Sequence, residues 1–103
     1  MSEFSNNLTD AELERLALLA EELCEAGQII QKIIRHGYES YHPKNPEITN
    51  RELLMKELAH VDVAVNLMCM NKDIYQYALL EYGKAKLEDI HQWLHHQDKG
   101  EQP

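Results

Sequence analysis

The hydrophobic residues of this chain recur every three or four positions and do not alternate two by two, which is the period of helices rather than strands. Leu13, Leu16, Leu23, Ile30 and Ile34 form one such row. Ahead of it, Thr9-Asp10-Ala11-Glu12 reads as a capping box, the Thr9 hydroxyl accepting from the Glu12 amide while the Glu12 carboxylate reaches back to the Thr9 amide. His36-Gly37 supplies a cationic-capable last turn and a residue free to take the left-handed stop. A first helix from Thr9 to about His36 is therefore predicted. Residues 38–48, with Pro43 and Pro46, read as a loop. Thr49-Asn50-Arg51-Glu52 repeats the capping-box pattern, and Leu54, Leu58, Val61, Val65 and Met68 carry a second helix to about Met70. Asn71 can end it and Asp73 with Gln76 can begin a third; Ile74, Ala78, Ala85, Leu87 and Trp93 extend that one to about His96, with Gly83 as a point where it can divide.

These elements predict an all-α fold, an antiparallel helical bundle over residues 9–96 with flexible segments at 1–8 and 97–103. A chain of 103 residues supports one modest core. The apolar surface of the first helix spans about half its circumference, wider than the ~100° stripe of an ordinary surface helix. Burial against another copy is the expected remedy, so a homodimer or homotetramer is predicted, with oligomerisation completing the core.

Charge narrows the partners. Lys+Arg number 10 against 18 Asp+Glu, a formal net charge of -8, the wrong sign for a broad nucleic-acid interface. A single anionic nucleotide remains accessible if metal cations bridge it to the protein. Met1 to Asn7 lacks the basic and then apolar regions of a signal peptide, and no apolar run approaches the ~20 residues of a membrane span, so no membrane association and a cytoplasmic location are expected. Cys24 and Cys69 lie in apolar helical patterns without CxxC spacing and read as core thiols.

The informative residues are acids where a core helix should have none. At 100° per residue, Leu18, Glu22, Glu25, Ile29 and Ile33 share one stripe, so two carboxylates are bracketed by apolar side chains. Glu14, Glu21, Gln28, Lys32 and Arg35 gather on the polar side. The second helix repeats the exception, since Leu53, Glu57, His60, Ala64 and Leu67 share a stripe. Ionisable groups turned into one crevice repel or neutralise unless cations balance them. A structural ion pair requires Lys or Arg in those stripes, and none is read there; oxygen-rich clusters suit Mg²⁺ or Mn²⁺. Acid pairs at i,i+3 are also common as solvent-facing decoration, and spacing alone leaves both readings open.

The residues that carry this pattern also carry a resemblance. Leu19-Ala20-Glu21-Glu22-Leu23-Cys24-Glu25-Ala26, then Gln31-Lys32-Ile33-Ile34-Arg35-His36-Gly37, then Asn50-Arg51-Glu52-Leu53-Leu54-Met55-Lys56-Glu57-Leu58-Ala59-His60-Val61 resemble the all-α MazG-like nucleoside triphosphate pyrophosphohydrolases, particularly short single-domain members of bacteriophage type. The family motif is ExxE on one helix and ExxD on the next. Glu22 and Glu25 take the first pair of positions and Glu57 the third, while His60 stands where the family has Asp. The resemblance covers residues 12 to 70 and, loosely, the last helix. It implies hydrolysis of a (d)NTP to a (d)NMP and pyrophosphate, with Mg²⁺ or Mn²⁺ on the carboxylates and a member of the Glu22/Glu25 pair taking the proton of the attacking water.

Imidazole ligates Mn²⁺ but suits Mg²⁺ poorly, so the fourth ligand is either His60 or the nearby carboxylate Asp62. Asp62 lies about 140° around an ideal helix from Glu57, a position from which it and Asn66 can face the nucleotide or a second metal. Arg35, Lys84 and Lys86 are the candidates for phosphate contact, and Tyr38, Tyr41 or Trp93 for stacking on the base, although Trp93 on an apolar stripe also reads as core. His91, His95 and His96 read as complements to a helix dipole. The competing expectation from another class is a non-catalytic helical module on the same fold, binding a nucleotide or a protein, with activity lost through the His60 change.

Overall fold

A computed structural model describes residues 5–98 of the chain. It is helical throughout: α1 spans Asp10–His36, α2 Asn50–Met70 and α3 Gln76–Asp89, followed by a 3₁₀ turn at Ile90–Gln92. Among the described residues there is no strand, only an isolated antiparallel bridge between Tyr41 and Thr49. None of these helices is long and apolar enough to cross a membrane. Of the end segments expected to be flexible, residues 1–4 and 99–103 lie outside the described residues.

The helix boundaries follow from the capping chemistry. At Thr9 both halves of the box form: the Glu12 amide donates to the Thr9 hydroxyl at 3.1 Å, and the Thr9 amide donates to the Glu12 carboxylate at 2.8 Å. Gly37 ends α1 at φ +90, where a side chain is strained, and its amide donates to the Ile33 carbonyl at 2.7 Å. At Thr49 only half of the expected box forms, the Glu52 amide donating to the Thr49 hydroxyl at 3.2 Å. Asn71 ends α2 as expected, its side-chain and backbone N–H groups both donating to the Leu67 carbonyl.

Contacts divide the chain into two compact units, Met1–Asp73 and Ile74–Pro103. In the first, α1 and α2 form an antiparallel hairpin: Arg15 meets Asp73 at one end, Glu22 meets His60 midway, and Gly37 meets Asn50 at the loop end. Ala26 and Ala64, 4% and 1% exposed, let the two backbones approach closely, with Met68 buried beside them. Leu18, Ile29 and Ile33 of α1 and Leu53 and Leu67 of α2 are half-buried.

The acid-bearing stripes are thus the faces that meet. The row expected to form the core, Leu13, Leu16, Leu23, Ile30 and Ile34, is instead exposed, Ile34 at 71%. A helix with one packed neighbour covers one side of itself, and here the covered side is the stripe with the acids. Cys24, expected in the core, is likewise exposed, because it lies on the far side of α1 from α2; Cys69 is half-buried.

The chain beyond Met70 corrects further expectations. Gly83 does not divide α3, which runs unbroken to Asp89 and ends there rather than at His96. Asp73 does not cap α3, because its carboxylate is held by Arg15; Tyr75 occupies the cap position without a side-chain hydrogen bond. Trp93 is 67% exposed rather than core, lying just past the 3₁₀ turn, and His95 and His96 lie outside any helix.

Candidate metal site

The stripes bring Glu22 from α1 together with Glu57 and His60 from α2. His60 Nδ1 lies 3.4 Å from Glu22 Oε2 and 3.7 Å from Glu57 Oε2. One ligand atom from each of the three falls within 4.8 Å of the others. The two glutamates are largely enclosed, their side chains 14% and 15% exposed, whereas His60 keeps 44% of its side chain in solvent.

Both Oε2 atoms are shielded from water and accept no hydrogen bond from any described residue. Neither histidine contact forms a hydrogen bond to these oxygens. A buried carboxylate oxygen without a donor is costly, and two facing each other across a helix pair are costlier still. Among the described residues neither Glu22 nor Glu57 is paired with Lys or Arg. Ligand atoms ~2.1 Å from a shared Mg²⁺ lie at most about 4.2 Å apart, a limit both histidine-to-carboxylate distances meet. Both histidine contacts are thus within reach of one small divalent cation, and the three ligand atoms together lie within 4.8 Å.

Glu25, one turn along α1 from Glu22, adds a fourth group. Its interaction with the Glu57 carboxyl raises its pKa most; burial and the Glu57 and Glu21 charges push the same way, and His60 opposes them. Two carboxyl groups so placed hold one proton more readily than two negative charges.

Of the alternatives for the fourth ligand, His60 is in the cluster and Asp62 is not. Asp62 is exposed, accepting a hydrogen bond from the Asn66 amide at 3.4 Å, as five residues of helix beyond Glu57 require. Asn66 accompanies it away from the carboxylates. Arg35 lies near the loop end of α1, and Lys84 and Lys86 are exposed on α3, in the other unit.

Sequence reasoning missed the ion pair of Arg15 with Asp73. Arg15 Nε donates to Asp73 Oδ2 at 2.6 Å and its Nη2 to Oδ1 at 3.0 Å, a two-pronged contact with both side chains 15% exposed or less. Arg15 sits one turn ahead of Leu18 on the covered side of α1. It is the basic residue that the stripe was read as lacking, and it pairs with the start of the α2–α3 connection rather than with Glu22. The contact lowers the Asp73 pKa and raises that of Arg15.

No family model matches the chain, and no curated protein or solved structure matches it either.

Proposed function

We propose that this chain is a metal-dependent nucleotide pyrophosphohydrolase of the MazG-like all-α type, hydrolysing a (d)NTP to a (d)NMP and pyrophosphate. The observation that carries the reading is the pair of enclosed Glu22 and Glu57 oxygens that no protein donor satisfies. They belong to the same residues that the ExxE and ExxH spacing singles out.

Glu22, Glu57 and His60 would hold the cation. A Mg²⁺ or Mn²⁺ ion there supplies positive charge to the phosphate oxygens and acidifies water at neutral pH. Glu25 is the proton acceptor in this reading: its carboxyl borders the ligands, and its pKa is raised in the direction that suits a base working near neutrality. The acidic surface keeps polyanions away, so selection for one small nucleotide rests on the cation.

The exposed α1 row supports assembly into a homodimer or homotetramer. The five side chains are 41–71% exposed, so covering what remains of them is worth about 5 kcal/mol, half the ~2 kcal/mol each of full burial. A second copy laid on that row would complete a four-helix core around the hairpin.

The histidine at the fourth position favours one rival, a binding module that keeps the cluster without turnover. Pyrophosphate release from a panel of ribo- and deoxynucleoside triphosphates and alarmone-type nucleotides, in Mg²⁺ or Mn²⁺, decides between them. Turnover that Glu22→Gln abolishes without loss of helicity supports the enzyme; no turnover with any of them supports the module.

A further inference from the structure

At the loop end of the hairpin, away from the carboxylates, the chain builds a cleft of about 340 Å³ lined by Lys32, Arg35 and His36 of α1, Tyr41 and His42 of the connecting loop, and the first turn of α2. Its size sits at the lower end of the range of small-molecule sites. None of its lining residues is acidic, in a chain with 18 Asp and Glu, while four are basic or able to become so. Among the described residues neither Lys32 nor Arg35 has an ion-pair partner.

The wall is tied down rather than loose. The Asn50 and Arg51 amides donate to the Ser40 and Tyr38 carbonyls at 2.8 and 2.9 Å, Tyr41 bridges Thr49, and the buried Asn50 side chain donates to the Gly37 carbonyl. His42 Nδ1 accepts from the Lys44 amide at 3.1 Å, which leaves Nε2 as the N–H donor of the neutral ring. Complementing the helix dipole accounts for cations in the last turn of α1, but not for His42 on the loop or for the exclusion of acids.

We infer that this cleft is a second binding site, distinct from the carboxylate cluster, for a small molecule bearing a phosphate or diphosphate group. Lys32 and Arg35 supply fixed charge, and His42 and Ser40 supply neutral donors. Lys32 follows Glu25 by seven residues, about 10 Å along α1, so the two sites repel and attract opposite partners without overlapping. The inference does not depend on the pyrophosphohydrolase reading, and its test contains no metal.

Calorimetric titration of the full chain with inorganic pyrophosphate in EDTA tests it. Saturable binding is expected, weakened at least tenfold by Lys32→Gln/Arg35→Gln and changed less than twofold by Glu22→Gln, with far-ultraviolet circular dichroism reporting that both variants stay helical. Lys32 and Arg35 are exposed, so their replacement leaves the hairpin packing intact. Three results would each overturn the assignment: no saturable binding to the wild type, equal binding by the double variant, or an equal loss in Glu22→Gln.

Discussion

The Glu25 carboxyl on α1 lies against the Glu57 carboxyl on α2, and their interaction, with burial and the Glu57 charge, raises the Glu25 pKa above its ordinary value. A carboxyl whose folded pKa is raised binds protons more tightly folded than unfolded. Its stabilising contribution is fully present below the unfolded pKa and is lost as pH rises through the folded pKa. The metal-free protein should therefore melt at higher temperature as pH falls from neutrality toward the ordinary glutamate pKa. Saturating Mn²⁺ should flatten that trend, as thermal melts at a series of pH values in EDTA and in Mn²⁺ will reveal.

Removing one of the opposed charges should have the same effect at fixed pH. Glu57→Gln is expected to raise the melting temperature of the metal-free protein by about 5 °C, the shift that ~1 kcal/mol gives in a domain of this size. A fall in melting temperature would mean that Glu57 is already satisfied within the protein.

Arg15 and Asp73 give the opposite pH signature. The Arg15 hydrogen bond lowers the Asp73 pKa, so the contribution is present above the ordinary aspartate pKa and lost as pH falls through the lowered one. Asp73→Asn should destabilise the chain at neutral pH, and the gap to wild type in urea midpoints should close in acid. A gap that persists unchanged at low pH would assign the effect to packing instead.

The first two helices were legible because their starts are written locally, in Thr9 with Glu12 and in Thr49 with Glu52. The acid stripes were legible as well, since periodicity alone groups Glu22 with Glu25 and Glu57 with His60. Periodicity cannot say which of two apolar rows meets a neighbour, and so the Leu13 to Ile34 row was assigned to a core from which it is absent. Asp73 was read as a local cap for the same reason: its partner Arg15 lies 58 residues away, beyond the reach of any local rule. The end of α3 at Asp89 has no breaker residue to announce it.

The exposed row makes a prediction about assembly. Size-exclusion chromatography with light scattering should return a mass of two or four times 12.0 kDa, and Leu23→Glu/Ile30→Glu should reduce it toward a single chain. A wild-type mass of one chain would leave the row without a partner of its own kind.

In the proposed site His60 is expected to set the preference among metals. Replacing it with the family's aspartate, His60→Asp, should tighten Mg²⁺ binding about tenfold while changing Mn²⁺ binding less, since a carboxylate suits the harder ion better than imidazole does. Equal changes for both ions, measured by calorimetry, would remove His60 from the ligand set.

The account depends above all on a divalent ion bridging the two helices at Glu22 and Glu57. Titration of Mn²⁺ followed by electron paramagnetic resonance measures this most directly, because free hexaaqua Mn²⁺ gives a sharp signal that binding broadens. Saturable loss of the free signal with wild type, and its return in Glu22→Gln/Glu57→Gln, is the predicted result; a double variant that takes up Mn²⁺ as well as wild type, or a wild type that takes up none, would contradict it.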